Sequence, residues 1–184
     1  MSFLTPFSLF ANGYFLQQGN AWEEGTRGVT SVIRKINLHH IKEAIRVLDL
    51  QNVSYRVEAK IIGLEDIPPL NETIETLQQS NETFYGYFSG EQLLGAISYK
   101  KTDRLLEICR LMVHPDHFRQ GIAGSLLTFI EEQEVGIDKI TVMTGEKNKP
   151  AKKLYQRHGF VRSAKREVTP GLMMISFEKT ISVR

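Results

Sequence analysis

The chain has 184 residues and a mass of 21.0 kDa, which suits one domain of about 150 residues with a short appendage. Hydrophobic residues make up 41% and charged residues 24%, an ordinary balance that excludes a coiled coil, a collagen and a wholly disordered chain. The single cysteine, Cys109, excludes an internal disulfide and a cysteine-built zinc site; with no apolar run near the ~18 residues of a membrane span, no membrane partner and a reducing cytoplasm are expected.

Residues 1–28 carry Phe3, Phe7, Phe10, Phe15 and Trp22 without a helical or alternating period. The first positive residue is Arg27, so the segment lacks the basic start of a signal peptide. It is expected to stand outside the functional domain of residues 29–184, either disordered or untranslated in the natural host. Glu23-Glu24-Gly25 is encoded by purine-rich codons that resemble a bacterial ribosome-binding site, and a GTG codon for Val29 is an alternative bacterial start. The rival expectation is an extension that packs on the domain or mediates a homodimer, to bury its aromatics.

Ser31 to Ile36 reads as a strand, and Leu38, Ile41, Ile45 and Leu48 give a helix from Leu38 to Leu50. Tyr55 to Gly63 has no clear period. Pro68-Pro69 opens a second helix with Leu70, Ile74 and Leu77 on one face. Thr83 to Phe88 and Leu93 to Tyr99 form a hairpin across Ser89-Gly90-Glu91-Gln92, and Leu105 to Val113 is a further strand. Gly121 to Glu134 is a helix, Lys139 to Met143 a strand, and Pro150 to Arg157 a short helix stopped at Gly159. Phe160 to Val168 and Leu172 to Lys179 pair across Thr169-Pro170-Gly171. The order β-α-α-β-β-β-α-β-α-β-β predicts an α/β fold with a mixed sheet.

Charge is segregated. Ile61 to Tyr99 holds the acids Glu65, Asp66, Glu72, Glu75, Glu82 and Glu91 and no Lys or Arg. Lys147 to Arg166 holds eight basic residues and no acid. Two surfaces of opposite sign are one reading, and two solvated faces the other.

Arg119-Gln120-Gly121-Ile122-Ala123-Gly124-Ser125 joins a strand to a helix. Small residues there let backbone approach a ligand, and free N–H groups at a helix start favour a pyrophosphate. Neither G-x-x-x-x-G-K-[ST] nor G-x-G-x-x-G is present, so an ATP-type loop and a Rossmann site are disfavoured.

The run Glu107-Ile108-Cys109-Arg110-Leu111-Met112-Val113-His114-Pro115, followed by Arg119 to Leu127, resembles the GNAT N-acetyltransferase superfamily. So does Asn148-x-x-Ala151-x-x-Leu154-Tyr155-x-x-x-Gly159-Phe160 downstream. One departure is that the family's first Gln/Arg position falls on Phe118, with Arg119 and Gln120 next to it. The resemblance covers roughly residues 30–180 and implies a mostly antiparallel sheet with a splayed central strand pair. It implies acetyl-CoA as cosubstrate, no metal, and direct transfer of an acetyl group to a primary amine. The backbone of Leu111, Met112 and Val113 would meet pantetheine, and that of Gln120, Gly121, Ile122, Ala123, Gly124 and Ser125 the pyrophosphate, beside Arg119. Asn148, Ala151 and Lys152 would border the rest of the cofactor, with Asn148 alternatively an N-cap.

Tyr155 matches the family's acid tyrosine, able to protonate the departing thiolate. Glu107 is the base candidate, its competing role being a strand charge paired with Arg110 or Arg104. His39-His40 reads as surface, His114 as a strand end and Cys109 as packing. The acidic segment suggests a cationic acceptor. A non-catalytic acyl-CoA-binding regulatory domain is the alternative function. A nucleic-acid partner is disfavoured because the basic stretch interleaves only Tyr155 and Phe160.

Overall fold

The computed structural model describes residues 31–65, 67–169 and 171–181; the expectations for residues 1–28 lie outside the described residues. The strands are β1 (Ser31–Ile36), β2 (Thr83–Ser89), β3 (Gln92–Thr102), β4 (Leu105–Val113), β5 (Lys139–Gly145), β6 (Val161–Thr169) and β7 (Leu172–Thr180). They form one sheet in the order β1-β2-β3-β4-β5-β7-β6. The helices are α1 (Ile41–Ile62), α2 (Ile74–Gln78), α3 (Ile122–Gln133) and α4 (Lys149–Arg157), with single 3₁₀ turns at Pro68–Asn71 and Pro115–His117. The element order is the one read from the sequence.

All neighbouring strands are antiparallel except β4 and β5. That parallel pairing runs only from Leu105–Lys139 to Ile108–Val142. Beyond it β4 continues to Val113 and β5 to Gly145, so the strands part and leave an inner edge open. Opposite the opening, β4 bulges against β3 where Tyr99 pairs with Ile108 but Ser98 with Arg110, leaving Cys109 extra. The expected splay is therefore present.

One core unites the sheet with α1 and α2 and is built on Val47, Leu77, Phe84, Phe88 and Met112. The other unites it with α3 and α4 and is built on Leu106, Leu126, Leu127, Ile130, Ile140 and Phe177. α2 is shorter than expected. Proline opens a separate 3₁₀ turn, and the helix restarts at a capping box in which Thr73 and Thr76 bond each other's backbone N–H.

α1 corrects the sequence reading twice. It continues 22 residues to Ile62 and stops at Gly63, whose N–H bonds the Ala59 carbonyl at 3.0 Å. Its buried stripe is also different. Ile41 and Ile45 are 54% and 42% exposed, while Ala44, Val47, Leu50 and Gln51 are buried. Compact Ala44 and Val47 face the sheet, and the amide of Gln51 is buried because it is fully engaged there. A glutamine on the inner stripe hides that stripe from an apolar-periodicity reading.

The end of α1 rests on the open end of β5. A Cβ at Gly145 would stand 2.7 Å from Ile62 Cγ2, so only glycine permits this approach. We expect Gly145→Ala to push α1 away and cost about 1–3 kcal/mol by overpacking. Chemical denaturation checks this; an unchanged midpoint would show that α1 does not depend on that contact.

Candidate active site

Where β4 and β5 part, a cavity of about 310 Å³ opens. Its floor is Ile108 to Leu111 of β4 and Val142 to Thr144 of β5. One wall is the second half of α1 with Ile67 and Pro68-Pro69, and another is α4. Val168, Leu172 and Met174 of the β6–β7 hairpin complete it.

Glu58 of α1 is the carboxylate lining this cavity. Its Oε1 accepts from Asn148 Nδ2 at 3.0 Å. Burial raises its pKa above the ordinary 4.5, although Asn148 and the neighbouring Thr144 and Gly145 pull it down. Asn148 does two jobs at once. Its Oδ1 caps α4 by accepting from Ala151 N–H at 3.1 Å while its amide nitrogen holds Glu58. The amide expected to meet the cofactor is thus engaged within the protein.

Tyr155 lines the same cavity from α4. It is 4% exposed and packs on Phe160 and Phe177 with ring centroids 5.6 and 5.9 Å apart. Burial, then the nearby charge of Glu58, pushes its phenol well above the usual tyrosine range. Tyr55, one turn before Glu58, is raised for the same two reasons. Both hydroxyls therefore stay protonated at neutral pH.

Cys109 borders the cavity at the bulge, and burial pushes its thiol up to about 11. A thiol at that value is protonated at pH 7 and a weak nucleophile.

Glu107 is not brought here. It is exposed on β4, registered between Lys100 and Thr141, and lies outside the cavity lining. Glu107 precedes the bulge at Cys109, within the stretch still paired to β5.

Of the cofactor-binding expectations, Leu111 lines the cavity, and Val113 packs against the α3-side core. The Met112 side chain is buried on the α1 face, so only its backbone is available. Arg119 and Gly121 both take left-handed backbone, at φ 61° and 83°, which turns the chain abruptly into α3. The first bond of the helix is Ser125 N–H to the Gly121 carbonyl at 2.9 Å. The N–H groups of Ile122, Ala123 and Gly124 are thus free to face a ligand. Gln120 is exposed and lies 3.3 Å from His117 Nδ1. Ala151 lines the cavity, and Lys152 Nζ donates to the Glu146 carbonyl at 2.6 Å. Among the described residues no group of three His, Cys, Asp or Glu side chains is placed to hold a metal ion.

Two acids of the segment at residues 61–99 do not stand free. Glu72 and Glu82 both grip Arg110, which is 12% exposed beside the bulge. Arg110 Nε donates to Glu82 at 2.9 Å, Nη2 to Glu82 at 3.0 Å and Glu72 at 3.1 Å, and Nη1 to Gln51 at 2.6 Å and to Glu72. Burial opposes ionisation of Glu72, but hydrogen bonds from Arg110 and Gln51 outweigh it and hold its carboxyl below the usual range.

The sequence reading missed Glu58, Tyr55 and this Arg110 cluster. The signal for the first two was present. Once α1 is extended, Tyr55, Glu58 and Ile62 fall at i, i+3 and i+7 on one helix face.

An acetyltransferase (GNAT) domain model matches residues 59–181, and the chain belongs to that family. Among curated proteins it is similar to the UPF0157 protein YqkA of Bacillus subtilis (strain 168), at 41% identity over 134 residues. The match covers 73% of this chain and 39% of YqkA, so the chain spans well under half of that relative's length. The fold is similar to that of the ribosomal-protein-S18-alanine N-acetyltransferase from Escherichia coli. The TM-score is 0.69 at 14% identity, covering 84% of this chain and 96% of that one. The PaiA N-acetyltransferase from Thermoplasma acidophilum, solved in complex with coenzyme A, gives 0.66 at 20% identity, covering 83% and 99%.

Arg110→Leu leaves Glu72 and Glu82 facing each other without their cation. We expect a loss of about 3–5 kcal/mol, as for other broken buried pairs, measured by urea unfolding. Because the folded pKa of Glu72 is lowered, its contribution is present above the unfolded value near 4.5 and fades as pH falls below it. The stability deficit of the variant should shrink in that acid range; an equal deficit at every pH would contradict this account.

Proposed function

We propose that the domain transfers an acetyl group from acetyl-CoA to a primary amine by direct attack in a ternary complex. The observation that carries this is the meeting of one carboxylate, Glu58, and one protonated phenol, Tyr155, where β4 and β5 part. The acetyl donor fits what surrounds them. The inner edge of β4 past Ile108 has no partner strand among the described residues, and an extended chain of amides can add there as a strand would. The start of α3, with its three free N–H groups and positive dipole end, suits a pyrophosphate. Bound there, acetyl-CoA supplies an acyl group already activated as a thioester.

An amine near pKa 10 is an ammonium at neutral pH and has no lone pair to attack with. Glu58, raised by its desolvated position, is the group in the cavity suited to take that proton. The nitrogen–carbon bond then forms as the carbon–sulfur bond breaks. Tyr155 gives the departing sulfur its proton and is restored by the second proton, which the nitrogen sheds as it becomes an amide. Cys109 takes no covalent part, since its thiol is protonated. In this reading the base is Glu58 on α1, because it lines the cavity and Glu107 does not.

Three measurements test this. Coenzyme A should stabilise the fold, by about 2.7 kcal/mol at a hundred times its Kd; no shift in melting temperature at millimolar acetyl-CoA would remove the donor assignment. Tyr155→Phe should lower kcat by roughly 10² to 10⁴ and leave coenzyme A affinity unchanged, because the proton matters only in the transition state. Glu58→Gln should abolish an acidic limb of kcat/KM that lies above the ordinary carboxylate range and does not move with the choice of amine. Retained turnover in both variants would remove Glu58 and Tyr155 from their acid–base roles.

A further inference from the structure

Resting on the transfer reading, we infer that the acceptor is a small amine with an apolar body and no carboxylate beside its nitrogen. The cavity argues for each part of that description. Around Glu58 the cavity is lined by Ile62, Ile67, Pro68, Val168, Leu172 and Met174, all apolar. Glu58 is the cavity's one carboxylate among the described lining residues, and it offers the place for the reacting ammonium.

A carboxylate is excluded by the state of Arg110. It is the one cation among the described residues lining the cavity. All three of its guanidinium nitrogens are already bonded to Glu72, Glu82 or Gln51. Two carboxylates against one guanidinium leave that side of the cavity net negative, so a substrate carboxylate finds repulsion and no donor fork. The chain therefore selects against free amino acids through residues that never touch the reacting atoms.

The test compares isoamylamine and leucine at saturating acetyl-CoA, following thiol release and the acetylated product by mass. Isoamylamine is leucine without its carboxylate, and its amine is at least as basic, so a preference for it cannot come from easier deprotonation. We expect kcat/KM for isoamylamine to exceed that for leucine at least tenfold. Leu172→Lys, which sets a free cation on the apolar rim, should narrow the gap to leucine several-fold; Met174→Lys makes the same test should the first variant fail to fold. Leucine equal to isoamylamine overturns the inference and leaves the transfer reading standing. So does an unchanged gap in a lysine variant that keeps its fold and its stabilisation by coenzyme A. No release of thiol or product with any amine overturns the transfer reading and this inference with it.

Discussion

The parting of β4 and β5 after Ile108 and Val142 is the constraint on which the rest of the structure depends. A parallel pair that stopped at Val113 would bury its inner edge in ladder bonds and leave no cavity. Three features hold it open. The bulge at Cys109 redirects β4 against β3. β5 keeps its pairing to β7 through Gly145, so its own backbone on that side stays satisfied while β4 departs. The end of α1 rests against Gly145, and the Glu58 carboxylate accepts a hydrogen bond from Asn148 beyond the end of β5. Backbone polar groups along an opened edge need partners, which is why such an opening suits an extended ligand.

Two polar struts tie the walls of the cavity to its floor. Asn148 joins α1 to α4 by bonding Glu58 with one end of its amide and capping the helix with the other. The proposed base and acid thus sit on separate helices whose relation is fixed by one side chain. Arg110 joins β4 to α1, to the Pro68–Asn71 turn region and to β2 through Gln51, Glu72 and Glu82. Buried charge of this kind is costly to form and costlier to break, so its value lies in fixing where these elements stand. The same pairing that anchors them also sets the sign of the field in the cavity.

Much of the architecture was legible along the chain. The turn at Ser89 to Gln92, the β4 boundaries, the glycine-marked start of α3 and the N-cap at Asn148 are local events, decided within a few residues by backbone freedom and side-chain hydrogen bonding. Tyr155 and the α3 loop were identified through their motif. What escaped was the second half of α1. Its inner stripe includes Gln51, which is buried, and Tyr55 and Glu58, which are half-buried; all are polar or amphipathic residues that distant groups engage or surround. Apolar periodicity cannot report a stripe of that kind.

The sequence by itself determined the order of elements, the family and the proposed acid, because each is written in residues close together in the chain. Tertiary structure alone decided the proposed base and the charge of the cavity. Glu58 meets Asn148 across 90 residues, and Arg110 meets Gln51 across 59 and Glu72 across 38. Ionisation depends on burial and on neighbours within a few ångströms, and for these groups the neighbours come from other elements. The acidic run at residues 61–99 shows the same reason. By composition it was an exposed negative face, but folding turned two of its acids inward onto one arginine.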